Sequence, residues 1–249
     1  PIREGFTFED VGFKYINAEN SAIRHLNFTL HAGEKLALMG ENGAGKTTLA
    51  HLLSRLYDPV EGRILLDGVD VRDWDVQELR RRFGIVLQDP YLFSGTIAEN
   101  IRMDDPRVTA ARVQAAERDA NLEEFLATLP AGDATELRER GAGLSTGQKQ
   151  LVNFARALAA DPSILILDEA TASVDTETEI KIRQALDRML SGRTSILIAH
   201  RLSTIQRAAQ ILVMHKGSLR ERGTHQELLQ QHGIYWRLYR LQYKDQEIT

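Results

Sequence analysis

The 249-residue sequence predicts an α/β fold with a mainly parallel sheet at its centre. Three observations lead there. The short, wholly apolar runs Leu36-Ala37-Leu38-Met39 and Ile164-Leu165-Ile166-Leu167 read as strands buried on both faces. Stretches of helical pattern alternate with such runs at the spacing of βαβ units. The composition, 43% hydrophobic against 27% charged, is that of an ordinary globular chain.

Taken in order, residues 6–15 and 23–30 favour strands, with a polar turn around Asn17-Ala18-Glu19-Asn20. Residues 36–39 are a short buried strand, and a helix is expected from 47 to 56. Residues 62–67 and 84–87 read as further strands. From about 96 to 129 the pattern turns helical, and a glycine-rich knot follows at Gly141-Ala142-Gly143. Residues 147–160 form a strong helix that ends before Asp161-Pro162. Residues 164–167 and 195–199 are strands with a helix over 177–190 between them, and 234–243 is expected to dock as a final helix. No internal repeat, low-complexity tract or linker interrupts the chain, so residues 1–249 read as one domain with a helical insertion.

Composition also excludes. The formal net charge is −4 and Lys and Arg do not gather into one block, so a nucleic-acid partner is not expected. The absence of cysteine rules out disulfides, thiolate metal sites and cysteine nucleophiles. No apolar run approaches the ~18 residues of a membrane span. The chain opens Pro1-Ile2-Arg3 without an initiator Met, which is expected of a domain belonging to a longer polypeptide.

The stretch Gly40-Glu41-Asn42-Gly43-Ala44-Gly45-Lys46-Thr47-Thr48 fits G-x-x-x-x-G-K-[ST], with a strand before it and a helix after it. Glycines let the backbone wrap closely, so that N–H groups and the helix N-terminus point at an anion. Lys46 supplies a point charge for β- and γ-phosphates, and the Thr47 hydroxyl suits Mg²⁺. A phosphate cradle needs a metal carboxylate at the end of a neighbouring buried strand. The run at 164–167 leads straight into Asp168-Glu169, and two adjacent acids after four apolar residues are costly unless they have work there. Asp168 is the candidate metal-side carboxylate, through water, and Glu169 the candidate for polarising an attacking water. Together these features read as a nucleoside triphosphatase.

The segment Leu144-Ser145-Thr146-Gly147-Gln148 opens a helix about twenty residues before Asp168. It resembles the LSGGQ signature of the nucleotide-binding domains of ATP-binding cassette (ABC) proteins. Gln88 after a strand, the turn Ser173-Val174-Asp175 and His200 after the strand at 195–199 fall in that family's order. The resemblance covers essentially the whole chain. It implies a P-loop NTPase core with a mainly parallel sheet, an N-terminal antiparallel β-subdomain, and a helical subdomain at about 89–160 that carries the signature.

It also implies ATP and Mg²⁺ as cofactors, and a second nucleotide-binding domain meeting this one head to tail. Ser145, Gly147 and Gln148 would then face the partner's γ-phosphate, although Ser145 equally reads as an ordinary helix cap. Gln88 resembles the glutamine that reaches the metal and attacking water and senses the transmembrane partner. His200 resembles the histidine that contacts the γ-phosphate, and Asp175 the aspartate that links the two sites, or else the cap of the helix after it. Tyr15 resembles the aromatic that stacks on adenine; the other reading is a core aromatic sharing a strand face with Phe13.

Within the family, Gln88-Asp89-Pro90-Tyr91-Leu92-Phe93-Ser94-Gly95-Thr96-Ile97-Ala98-Glu99-Asn100-Ile101 looks like the exporter pattern, and Thr135-Glu136-Leu137-Arg138-Glu139-Arg140-Gly141 like the exporter segment that touches the coupling helices. The implied protein is an exporter at the cytoplasmic face of a membrane, with its transmembrane domain N-terminal to residue 1. The alternatives are a soluble ATPase acting on nucleic acid or ribosomes, and an importer subunit. One departure stands out: Thr146 where the family has glycine. A β-branched residue cannot take positive φ cheaply, so close approach to phosphate is expected to suffer. That expectation extends to a partner of a different chain, with one competent and one impaired site.

Overall fold

The apolar runs become the middle of a sheet that is buried on both faces. The structure is a computed structural model and describes residues 2–168, 176–198 and 205–243. In chain order, β1 (Gly5–Phe13) and β2 (Ile23–His31) pair antiparallel, and β3 (Lys35–Met39) leads through a loop into α1 (Lys46–Leu53). The chain then returns as β4 (Glu61–Leu66) and β5 (Val69–Asp70), giving a four-stranded antiparallel sheet in the order β2-β1-β4-β5. After α2 (Val76–Arg80), β6 (Phe83–Val86) enters the central sheet.

Next come β7 (Gly95–Thr96), α3 (Ile97–Arg102), α4 (Ala110–Asp119), α5 (Glu123–Ala127) and β8 (Glu136–Leu137), with β8 pairing back onto β7. The long α6 (Thr146–Ala159) is followed by β9 (Ile164–Asp168), α7 (Thr176–Leu190) and β10 (Thr194–Ile198). A hairpin of β11 (Gln210–His215) and β12 (Ser218–Gly223) and the helices α8 (His225–Gln230) and α9 (Ile234–Tyr243) complete the described chain. The central order is β12-β11-β3-β10-β9-β6, parallel except for β12.

Alternation along each central strand divides its side chains between two cores. Leu36, Leu38, Ile164, Ile166, Ile196 and Ile198 face a core shared with α1 and the antiparallel sheet, where Phe8 stacks on Phe28 at 4.2 Å. Ala37, Met39, Leu165, Leu167 and Leu197 face the opposite core, shared with α6, α7 and the helices before them. A strand with both neighbours apolar has no polar face to show, which is why these runs carry no period of two.

Some elements differ from expectation. The strand predicted to reach residue 15 stops at Phe13, after register shifts near Val11, so Tyr15 is not on a strand face. α1 starts at Lys46 and ends at Leu53; the Ser54 hydroxyl donates back to the Ala50 carbonyl at 2.9 Å. The helical stretch at 96–129 is three helices, because Met103, Asp104 and Asn121 take positive φ. Thr109 caps α4 there, its hydroxyl accepting from the Arg112 amide. The β11–β12 hairpin was not among the sequence expectations; Lys216 and Gly217 both sit at positive φ (48° and 79°), as its two-residue turn requires.

Candidate active site

The loop between β3 and α1 is squeezed from two directions. At Gly40 (φ +153°) a Cβ would lie 2.4 Å from the Met214 carbonyl oxygen of β11, and at Gly45 (φ +105°) 2.8 Å from the Ala22 carbonyl oxygen. Neither place has room for a side chain. The hairpin turn clamps the loop further: the Gly217 amide donates to the Ala44 carbonyl at 3.0 Å, while the Arg24 amide donates to the Gly217 carbonyl at 2.8 Å. Gly217 was missed in the sequence because its partners lie far along the chain.

Lys46, 8% exposed, opens α1, and its Nζ donates to the carbonyls of Gly40 (2.6 Å) and Glu41 (2.9 Å). Burial pushes its ammonium below the ordinary lysine value, with Asp168 acting in the opposite direction. A cation in that condition is under-solvated and gains from an anion. The first turn of α1 carries no acidic residue, so nothing of its own competes for the helix N-terminus.

A cleft of about 330 Å³ opens here, lined by Tyr15, by Asn42, Gly43, Ala44, Gly45, Lys46, Thr47 and Thr48 of the loop and α1, and by Gln88 and Asp168. Gly40 and Glu41 do not line it; they hold the lysine. Asp168, half-buried, is the last residue of β9 and pairs with Ile198 across the sheet, and Gln88 follows the end of β6 by two residues. The cleft thus lies at the carboxyl ends of parallel strands, where α/β sheets bind ligands. The Thr47 hydroxyl, the Asp168 carboxylate and the Gln88 amide are hard oxygen donors. No cluster of three or more His, Cys, Asp or Glu able to hold a metal occurs among the described residues. That donor set fits Mg²⁺, an ion that keeps waters and phosphate oxygens rather than a full protein cage.

Tyr15 is partly buried. Its hydroxyl lies 3.1 Å from Thr48 Oγ1 and 3.5 Å from His51 Nδ1, and its ring stands edge-on to Phe13 (4.9 Å) and Tyr57 (5.3 Å). Phe13 goes into the core at 6% exposure, while Tyr15 both packs against that core and lines the cleft.

Ser145, Gly147 and Gln148 do not line the cleft. They form the head of α6, where Ser145 Oγ accepts from the Gln148 amide (3.2 Å) and Gln148 Oε1 accepts from the Ser145 amide (2.9 Å). This is a full capping box. Thr146, exposed, is the first residue of the helix and is not among the residues at positive φ; that conformation falls on Gly143 (φ 100°). The positive-φ ground for expecting Thr146 to hinder close approach to phosphate is therefore corrected, because Thr146 takes the first position of a regular helix. Glu169, Asp175 and His200 lie outside the described residues.

Beside the cleft runs an apolar groove of about 490 Å³ with Leu56, Ile85, Leu87, Tyr91 and Phe93 on its walls and Asn153 and Arg156 among its lining. Leu87 and Phe93 are 54% and 50% exposed there, more apolar surface than a solvated loop needs.

Comparison with known proteins agrees with this geometry. The family model described as "ABC transporter" matches residues 23–172. The uncharacterized ABC transporter ATP-binding protein YfiC of Bacillus subtilis is 48% identical over 245 residues, which cover 98% of this chain and 40% of that protein. The probable multidrug resistance ABC transporter ATP-binding/permease protein YheH of the same organism is 50% identical over 235 residues, covering 94% of this chain and 35% of that one. The solved structure of a bacterial Atm1-family ABC exporter with ATP bound superposes with a TM-score of 0.89 at 44% identity, covering 97% of this chain and 42% of that chain. The chain thus spans well under half the length of each of these proteins. A phosphate loop at the carboxyl edge of a parallel sheet, a capped signature helix and identities near one half leave one conclusion: the chain belongs to the ABC transporter family, as an ATP-binding ATPase domain.

Proposed function

We propose that this domain is the motor of an exporter, hydrolysing ATP to drive transport across a membrane from its cytoplasmic face. The observation that carries the proposal is the single cleft that gathers Lys46, Thr47, Gln88 and Asp168 beside Tyr15. The export reading is supported by the loop after Gln88, and by the ATP-binding/permease description of YheH and the exporter description of the solved relative. No helix among the described residues is long and apolar enough to cross a membrane. The membrane-spanning partner is assigned to a segment outside 1–249, and the apolar groove is the face that receives it.

In this reading Lys46 leaves the Gly40 and Glu41 carbonyls for the β- and γ-phosphates, which relieves its buried charge. The loop amides of 42–48 hold phosphate oxygens, and the Tyr15 ring supports the adenine. Thr47, Gln88 and, through water, Asp168 would hold a Mg²⁺, which would supply neutralisation of charge on the phosphates. Glu169 holds and polarises the attacking water, and His200 contacts the γ-phosphate. Residues 89–160 act as a helical subdomain that presents Ser145, Gly147 and Gln148 to a partner domain's nucleotide, with Asp175 between the two sites. What supports a partner of a different chain is the exposed side chain of Thr146 at that contact.

The test is Lys46→Ala in the full-length polypeptide reconstituted into lipid vesicles. Loss of charge-assisted bonds should weaken ATP binding roughly 10- to 100-fold and stop turnover. Parental affinity and turnover in that variant would sink the assignment.

A further inference from the structure

Both flanks of Gln88 are gripped by one helix. Asn153 of α6 donates through Nδ2 to the Leu87 carbonyl (3.4 Å), immediately before Gln88. Arg156, about one turn further along α6, donates through Nη1 to the Tyr91 carbonyl (2.9 Å), three residues after Gln88. The same guanidinium donates through Nε to the Asn100 carbonyl (2.8 Å) and through Nη2 to Asn100 Oδ1 (3.1 Å). Asn100 closes the clasp. Its Oδ1 also accepts from the Phe93 amide (2.8 Å), and its Nδ2 donates to the carbonyls of Phe93 (2.9 Å) and Thr96 (3.0 Å). Asn100 and Asn153 are 2% and 4% exposed.

The arrangement is expensive. Burial holds the Arg156 guanidinium below its ordinary value, and no carboxylate among the described residues offsets it. Neutral carbonyls and one amide take the place of a counter-ion, with the Phe93 ring 5.9 Å away. A partly buried cation without an ion pair still loses some hydration, and its hydrogen bonds to fixed carbonyls offset that loss only while those carbonyls stay in place. Here the fixed geometry is that of residues 87–93, the segment that contains Gln88.

We propose that Asn153 and Arg156 are positioning residues for Gln88, through which the helix headed by Ser145 sets where Gln88 stands in its own chain's cleft. This rests on the reading of Gln88 as a residue of the reaction. Arg156 lies eleven residues beyond Ser145, roughly 16 Å along an uninterrupted helix. A tilt of α6 when its head meets a partner's nucleotide is carried to the Leu87 and Tyr91 carbonyls, so occupancy of one site is felt at Gln88 of the other.

The experiment is a double-mutant cycle in the full-length polypeptide. Arg156→Lys keeps the charge but cannot reach Tyr91 and Asn100 together. It should lower kcat about 10-fold, the scale of one charged hydrogen bond, with KM and the affinity for a fluorescent ATP analogue within about 2-fold of the parent. Asn153→Ala, which removes a neutral bond, should lower kcat about 3-fold in the same pattern and serves if the arginine variant does not fold. Added to Gln88→Ala, neither change should lower kcat further. An additive loss, or nucleotide affinity and Tm falling together with kcat, overturns the proposal and leaves α6 a structural brace. A Gln88→Ala protein that turns over at the parental rate would instead remove the reading of Gln88, a separate failure that takes the proposal with it.

Discussion

The Tyr15 hydroxyl meets Thr48 on α1 while its ring lines the cleft, and the two parts answer to different tests. Tyr15→Phe keeps the ring and loses one exchangeable hydrogen bond, so its apparent KM for ATP should stay near the parent's. Tyr15→Ala should raise KM by an amount equivalent to one stacking contact, at most about 1–3 kcal/mol, with kcat nearly unchanged. A variant that chiefly loses thermal stability would show Tyr15 to be packing, through its contacts with Phe13 and Tyr57, rather than a base platform. The phosphate loop was legible residue by residue, because backbone approach to an anion dictates glycine and lysine at fixed spacing. Asp168 was legible because an acid directly after a buried strand is costly without a role. Asn100, Asn153 and Arg156 were not, since a polar residue on an amphipathic helix gives no sign of whether it is buried until its neighbours are placed.

Among the elements, α6 shows how one residue can serve two ends. Ser145 caps the helix, and in the proposed function it also faces a partner's nucleotide. Ser145→Ala should cost about 1 kcal/mol of stability through the lost cap. Ser145→Asn caps equally well, so it should recover the Tm. If Ser145 also serves the nucleotide, the asparagine variant should remain slow in ATP turnover, and full recovery of turnover would reduce Ser145 to a cap. α4 carries a second testable feature. Glu117 is 6% exposed with its Oε1 unpartnered, and its pKa is pushed up to about 7 from 4.5 by burial, then by Asp133 and Glu123, with Arg118 acting the other way. The folded chain therefore holds a proton that the unfolded chain releases, and this contribution is full below pH 4.5 and is lost as pH rises through 7. Glu117→Gln should match the parent in denaturant melts near pH 4.5 and exceed it by up to about 3 kcal/mol at pH 8. Equal stability at both pH values would refute the burial argument. The helical character of this region was readable from its pattern. Its division into three was not, because the positive φ at Met103, Asp104 and Asn121 falls on residues other than glycine, which leave no such mark in the sequence.

For the molecule as a whole, the decisive fact is that the cleft and the head of α6 belong to one chain but not to one site. Lys46, Thr47, Gln88 and Asp168 line the cleft, and Ser145, Gly147 and Gln148 do not. If both sets serve ATP, the catalytic unit contains two such domains, and the domain alone must find its partner by diffusion. Tethering through a membrane segment would raise the effective concentration to the millimolar range. The isolated 249-residue domain should therefore show specific ATPase activity that climbs with protein concentration, whereas a flat profile from nanomolar to high micromolar would remove the paired unit. Thr146 refines this expectation. The threonine strains no backbone, so any impairment must come from its exposed side chain standing between the helix N-terminus and a phosphate. In a pair of identical chains both sites would carry that obstruction. Thr146→Gly should then raise the concentration-dependent activity of the isolated domain several-fold, at the expense of slightly lower stability in the first turn of α6. The parent pairs poorly with itself in that case, and a different chain with an open signature completes its working site. A parent whose activity climbs steeply and is unchanged by Thr146→Gly would mean that threonine is tolerated at the contact, and that two copies of this chain suffice.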